Sequence, residues 1–152
     1  MNIRIGKKED MASVLGLIQE LADFEKEPEA VKITVEDLIR DGFGQQPLFH
    51  VFVAEMNSNS GEKEIVGIAL YYYRYSTWKG PVLYLEDLIV TESFRGNGIG
   101  KALFEKCIAH AKHNNYRRMV WQVLDWNTPA IDFYKGYGAQ IEDGWLNASI
   151  DF

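Results

Sequence analysis

Apolar positions along this chain recur at two different spacings, and each change of spacing marks the end of an element. Asn2–Ile5 reads as a short first strand, and the polar run Lys7-Lys8-Glu9-Asp10 leads into a helix over 11–24. There Val14, Leu15, Ile18, Leu21 and Ala22 recur at three and four residues and make one apolar face. Glu25-Lys26-Glu27-Pro28-Glu29 breaks that helix with a proline and three carboxylates. A second helix is predicted from Thr34 as N-cap, with Glu36 and Asp37 in its first turn and Gly42 or Gly44 as its stop. The period then changes to that of strands. Residues 48–56 and 65–75 are apolar and β-branched and read as strands joined by a polar hairpin loop over 57–64; Ser76-Thr-Trp-Lys-Gly-Pro turns the chain into a third strand over 82–90. Neighbouring rings in Tyr71-Tyr72-Tyr73 face opposite sides of a sheet, either to reach a cleft or to pack.

The third strand is apolar or aromatic except at Glu86 and Asp87, and it feeds the turn Arg95-Gly96-Asn97-Gly98-Ile99-Gly100-Lys101. Leu103, Phe104, Cys107, Ile108 and Ala111 then show a helix that begins within or just after the turn and runs to about Asn115. Glycines let a backbone approach a ligand closely, and the first amides of a helix have no internal partner, so this arrangement makes an anion cradle. The glycine spacing excludes a Walker loop and a dinucleotide fingerprint, and leaves a plain glycine-capped connection as the alternative. Beyond the helix, 118–124 reads as a strand, and a short helix capped by Asn127 or Thr128, with Pro129 in its first turn, ends near Gly136. Residues 138–141 and 145–150 are expected to close the fold as a hairpin. The order β-α-α-β-β-β-α-β-α-β-β predicts an α/β fold with a mixed sheet and helices on both faces.

A chain of 152 residues, 47% hydrophobic, suits one domain over 1–152 with a proper core. No run approaches the roughly 18 apolar residues of a membrane span, and the N-terminus lacks a signal-peptide apolar region, so no membrane partner and a cytoplasmic location are expected. A net charge of −6 is the wrong sign for holding nucleic acid by its phosphates, and it favours cationic small molecules. Cys107 lies on the apolar face of its helix and reads as core. His50, His110 and His113 form no ligand set with neighbouring acids or Cys107, so no metal is expected.

Glu86 and Asp87 interrupt an otherwise apolar strand, and an unpaired buried carboxylate costs several kcal/mol. Each therefore needs an ion-pair partner such as Arg74, a protonated state, or a wet cleft. Adjacent strand residues face opposite ways, so only one sees a given cleft unless a bulge turns both. In the last helix Ala130, Phe133 and Tyr134 share a face, so Asn127 near the cap and Tyr134 are placed to border one ligand, with Tyr137 as the nearest alternative tyrosine.

The turn and its flanking elements resemble the GCN5-related N-acetyltransferases, whose pyrophosphate signature Arg/Gln-x-x-Gly-x-Gly/Ala is filled by Arg95, Gly98 and Gly100. Leu-Tyr-Leu-Glu-Asp at 83–87, Asp-Gly-Phe-Gly at 41–44, Tyr-Tyr at 71–72 and Asn-x-Pro-x-Ile-x-Phe-Tyr-Lys at 127–135 resemble the diamine (spermidine/spermine, thialysine) branch of that family. The resemblance implies acetyl-CoA as cosubstrate, held by Leu88, Ile89 and Val90 through the pantetheine arm, by Arg95, Gly96, Asn97, Gly98, Ile99, Gly100 and Lys101 through the pyrophosphate, and by Asn127 and Ala130. It implies a bulge at Glu86, two parallel strands that splay apart, Glu86 serving the acceptor amine, the Leu88 amide facing the oxyanion, and Tyr134 as the acid that reprotonates the thiolate. Phe24, Glu25, Glu86, Asp87 and Trp145 are the implied substrate residues, the acceptor is a small amine, and a homodimer is implied. The chain departs from the branch at Tyr137, where a basic residue is usual, and in its shorter C-terminus. Acetylation of another amine, such as a peptide N-terminus or aminoalkyl compound, and a non-catalytic acyl-CoA-binding module are the alternatives.

Overall fold

The computed structural model describes residues 1–58 and 61–152. The elements are β1 (Asn2–Ile5), α1 (Met11–Phe24), α2 (Val35–Phe43), β2 (His50–Asn57), β3 (Lys63–Ser76), β4 (Gly80–Val90), α3 (Ile99–His113), β5 (Met119–Val120) and α4 (Thr128–Lys135). Two of the loop residues expected between β2 and β3, 59 and 60, lie outside the described residues. By its contacts the chain divides into two units, Met1–Trp121 and Gln122–Phe152.

In the first unit the strands lie in sequence order, antiparallel from β1 to β4 with β5 parallel to β4. The pleat sorts the core to two faces. Val51, Val53, Ile68, Leu70 and Ile89 pack against Met11, Val14 and Leu17 of α1 and Leu38 of α2. Phe52 and Tyr71, one residue out of phase, turn the other way, and the His110 ring of α3 meets both at 5.7 and 5.3 Å. Helix α2 starts as its sequence predicts: Thr34 and Asp37 form a reciprocal capping box. Arg4 on β1 joins Asp10 at 2.7 Å and Glu55 at 3.0 Å, tying the first strand to the entry of α1.

Two strand expectations fail. The strand expected over 118–124 is only Met119–Val120, paired with Leu83 and Tyr84. The pairing stops two residues short of the bulge at Glu86 in β4, and a bulge disrupts the ladder locally and strengthens the twist. In the second unit α4 is capped by Asn127 and stopped at Gly136 as expected, but residues 138–150 form no strand. A hairpin persists only with one face covered, and Trp145, Leu146 and Ile150 are all more than 80% exposed. The alternation legible in the sequence has no buried face to serve there.

Candidate active site

The acceptor end of the site begins with a count of residues. β3 and β4 pair Tyr71 with Leu85 and Leu70 with Asp87, so Glu86 stands opposite no residue. That extra residue is a β-bulge, and it removes the rule that adjacent side chains face opposite ways. Glu86 and Asp87 accordingly line the same cavity of about 300 Å³, walled by Ile18, Ile33, Leu38, Leu48, Phe49 and Leu70, with Asp37 and Asp41 of α2 also on its lining.

The electrostatics follow from that convergence. Tyr72 donates its hydroxyl proton to Glu86 Oε2 at 2.9 Å. Burial, then the charges of Glu86 and Glu25, pushes Asp87 up to about 7. Burial and Glu86 likewise raise Glu25 above the ordinary carboxylate range. Three carboxylates therefore share one field, and a cation arriving among them is attracted by all three. The ion-pair alternative for Glu86 does not hold: the Arg74 guanidinium lies over the Tyr84 ring at 5.4 Å, and among the described residues no ion pair joins it to Glu86. Phe24, beside Glu25, has the Arg95 guanidinium 5.7 Å from its ring centre.

The other end of the site is made of backbone. From Leu85 to Val90 β4 is paired to β3 on one side and has no ladder partner on its β5 side among the described residues, so this edge can accept an extended chain as an added strand. Val90 leads through a short 3₁₀ turn, Glu92–Phe94, into the glycine loop. Gly96 and Gly98 take φ of 79° and 75°, which side chains other than glycine rarely adopt, and a Cβ on either would meet nothing within 4 Å. Conformation demands glycine there, and the space above the loop is open. Gly98 is the N-cap of α3 and no side chain caps it, while the buried Ile99 anchors the helix start. These uncapped amides fit an anion such as a pyrophosphate. Arg95 closes the strand exit, donating from Nε to Val90 O at 2.8 Å and meeting Glu20 Oε1 at 3.5 Å. Glu20 also accepts from the Thr91 hydroxyl and the Glu92 amide at 2.7 and 2.9 Å. Glu20 was not legible as a site residue, because an acid on the polar side of an amphipathic helix carries no signal of its own.

In the second unit Asn127 is occupied as an N-cap, its Oδ1 accepting from the Ala130 amide at 3.4 Å. Tyr134 is 8% exposed and burial pushes its hydroxyl up to about 12, so it keeps its proton through the neutral range. Phe133 contacts both Tyr134 and Tyr137 at 5.3 Å between ring centres. Trp145 is exposed. The structure thus brings Glu25, Glu86 and Asp87 together, sets Phe24 beside Arg95, and runs Leu88–Val90 directly into the loop of Arg95–Lys101. Asn127, Ala130, Tyr134 and Trp145 belong to the other unit. Asp37 and Asp41 are additions to the lining, and of the tyrosine run left between reaching a cleft and packing, Tyr72 is the ring that meets Glu86.

The sequence matches the Acetyltransferase (GNAT) family over residues 16–139. The chain belongs to that family. Its GNAT relatives include the thialysine N-epsilon-acetyltransferase of Bos taurus, 44% identical over 94% of this chain and 88% of the relative. The spermidine/spermine N(1)-acetyltransferase-like protein 1 of Homo sapiens is 39% identical over 94% of this chain and 21% of its own length. Among solved structures, an aminoglycoside acetyltransferase from an uncultured soil metagenomic sample, in complex with sisomicin, superposes with a TM-score of 0.76 at 21% identity over 99% of this chain and 95% of the other, which shows the shared GNAT fold. The chain is an acetyl-CoA-dependent N-acetyltransferase.

Proposed function

We propose that the acceptor is a small molecule with a primary amine and a second charged end, a diamine, polyamine or thialysine-like compound, acetylated by direct attack in a ternary complex. One observation carries the acceptor class: the bulge at Glu86 turns two carboxylates into one cavity with apolar walls, beside a third acid, Glu25. An ammonium is drawn in by that field, and its methylenes find the apolar walls. The names of the relatives support the same class.

In the reaction the acceptor nitrogen bonds to the acetyl carbonyl carbon and the carbon–sulfur bond breaks. Glu86, directly or through water, takes the proton that the ammonium must lose before attack. Asp87 and Glu25 hold the cation while it is there. The Leu88 amide, just past the bulge, donates to the developing oxyanion, and the free edge at Leu88, Ile89 and Val90 pairs with the pantetheine arm. Tyr134 supplies a proton to the departing thiolate, a role supported by a hydroxyl that stays protonated to about 12. Asn127, Ala130 and the loop Arg95–Lys101 hold the rest of the cosubstrate, Phe24 and Trp145 contact the acceptor, and the family match across both units supports one catalytic domain over 1–152. A homodimer, supported by resemblance to the diamine branch, and a cytoplasmic location, the expectation from the sequence, complete the reading.

Release of coenzyme A thiol from acetyl-CoA against putrescine, spermidine, spermine, thialysine, lysine, an aminoglycoside and an N-terminal peptide tests this. Turnover confined to the small amines bearing a second charged end is the expected result. Preference for the peptide or aminoglycoside overturns the acceptor class, and binding of acetyl-CoA without turnover of any amine overturns the catalytic reading.

A further inference from the structure

Helix α1 reaches the cosubstrate loop through one carboxylate. Glu20 Oε2 accepts from the Thr91 hydroxyl at 2.7 Å, and its Oε1 accepts from the Glu92 amide at 2.9 Å and faces Arg95 Nη2 at 3.5 Å. These three partners belong to one short segment, the exit from β4 through the 3₁₀ turn Glu92–Phe94 into the glycine loop. Thr91 stands at the N-cap of that turn, yet its own side chain does not cap it. The first amide of the turn is capped instead by Glu20, from a different element. A carboxylate suits that place, because the leading N–H groups of a turn are short of partners and carry partial positive charge.

The segment is held from two sides. The Thr91 amide donates to Val66 O at 2.9 Å and fastens it to β3, while Glu20 fastens it to α1. Arg95 is fixed in the same way. Its Nε donates to Val90 O at 2.8 Å, its Nη2 faces Glu20, and the ring of Phe24, one turn beyond Glu20 on α1, has its centre 5.7 Å from the guanidinium carbon. The N–H groups of Nη1 have no partner among the described residues and remain for a phosphate oxygen. A carboxylate this close to an anion cradle also repels a pyrophosphate. Glu20 therefore favours the anion only through what it holds in place.

We infer that Glu20 is a positioning residue for the cosubstrate: through Thr91, Glu92 and Arg95 it fixes the turn that presents the glycine loop and the Arg95 guanidinium to the pyrophosphate, and it touches neither substrate itself. The inference rests on the proposed placement of the cosubstrate on this loop. The hydrogen bonds of Glu20 carry the role, and its charge does not. In Glu20→Gln the amide oxygen can accept from the Glu92 amide and the amide nitrogen can donate to the Thr91 hydroxyl, so the hold on the turn survives and only the attraction to Arg95 is lost. Glu20→Ala keeps neither.

Binding of coenzyme A and of pantetheine, which has the arm and thiol but no phosphate, tests this without any acceptor, by calorimetry for the first and NMR titration for the second. Glu20→Ala should weaken coenzyme A about tenfold or more, the size of a lost hydrogen bond to a charged group, and leave pantetheine within about twofold. Glu20→Gln should stay within about threefold of the wild type for both. Thr91→Val removes one donor from the other side of the same contact; it should weaken coenzyme A by itself, add little to Glu20→Ala, and serve as the test should the alanine variant not fold. Gly98→Ala, which strains the loop directly, reads the placement. If Gly98→Ala weakens coenzyme A while loss of the Glu20–Thr91 contact changes nothing, weakens both ligands alike, or is matched in full by Glu20→Gln, the inference is overturned and the placement stands. If Gly98→Ala also leaves coenzyme A binding unchanged, the cosubstrate does not lie on this loop and both are overturned.

Discussion

The two ends of the site are made of different material. The proposed cosubstrate end is backbone: two left-handed glycines, the uncapped start of α3 and the edge of β4 that has no ladder partner among the described residues. The acceptor end is side chains, gathered by one unopposed residue in the β3–β4 ladder into a cavity walled by α1, α2 and the loop before β2. A backbone site tolerates side-chain change and fails when a Cβ forces the chain out of a required φ; a side-chain site fails when a carboxylate is removed. Mutations at the two ends should therefore separate cleanly in what they cost.

The largest effects belong to proton transfer. Glu86→Gln should lower kcat/KM for the amine by roughly 10²–10³ while the KM for acetyl-CoA stays within about twofold, measured by thiol release. Tyr134→Phe should lower kcat by about 10²-fold, and an unchanged rate at every pH would remove Tyr134 from the mechanism. Next comes Asp87→Asn, which tests the crowding of charge. A carboxylate raised to about 7 in the fold favours the folded state at low pH, and that contribution is lost as pH rises through 7. The asparagine variant should be more stable than the parent at pH 8 by about 2 kcal/mol, with the gain shrinking towards pH 4, read by thermal unfolding across that range. The smallest effect, on the backbone side, is Gly98→Ala. Placing a Cβ at a φ of 75° costs about 1–2 kcal/mol, and it should appear as a raised KM for acetyl-CoA with the amine KM unmoved.

The same division explains what the sequence disclosed. The cosubstrate loop was legible because its requirements are local: strand, glycines at fixed places, then helical spacing from Ile99. The Thr34 cap and the limits of α1 and α2 were legible for the same reason. At the acceptor end, residue types pointed to Glu86 and Asp87 and the family resemblance implied a bulge there; strand alternation alone left open whether both face one cleft, and the register of β4 against β3 shows the bulge. Asp37 and Asp41 looked like ordinary first-turn and last-turn acids of a surface helix, because the cavity they line is closed by Phe49 and Leu70 from elsewhere in the chain. The closing hairpin failed in the opposite way: alternation at 145–150 is a local signal without the buried face that strands require.

The most direct test of the account is the pH dependence of kcat/KM for the acceptor amine in the wild-type enzyme and in Asp87→Asn. If the cavity binds the ammonium form and strips its proton in place, kcat/KM should rise with pH, bend near 7 where Asp87 ionises, and then level off, and the bend should vanish in the asparagine variant. A wild-type profile that climbs without a bend to about 10, the range of a free alkylamine, would mean that the amine must arrive already neutral, and would contradict the role given to the carboxylates at the bulge.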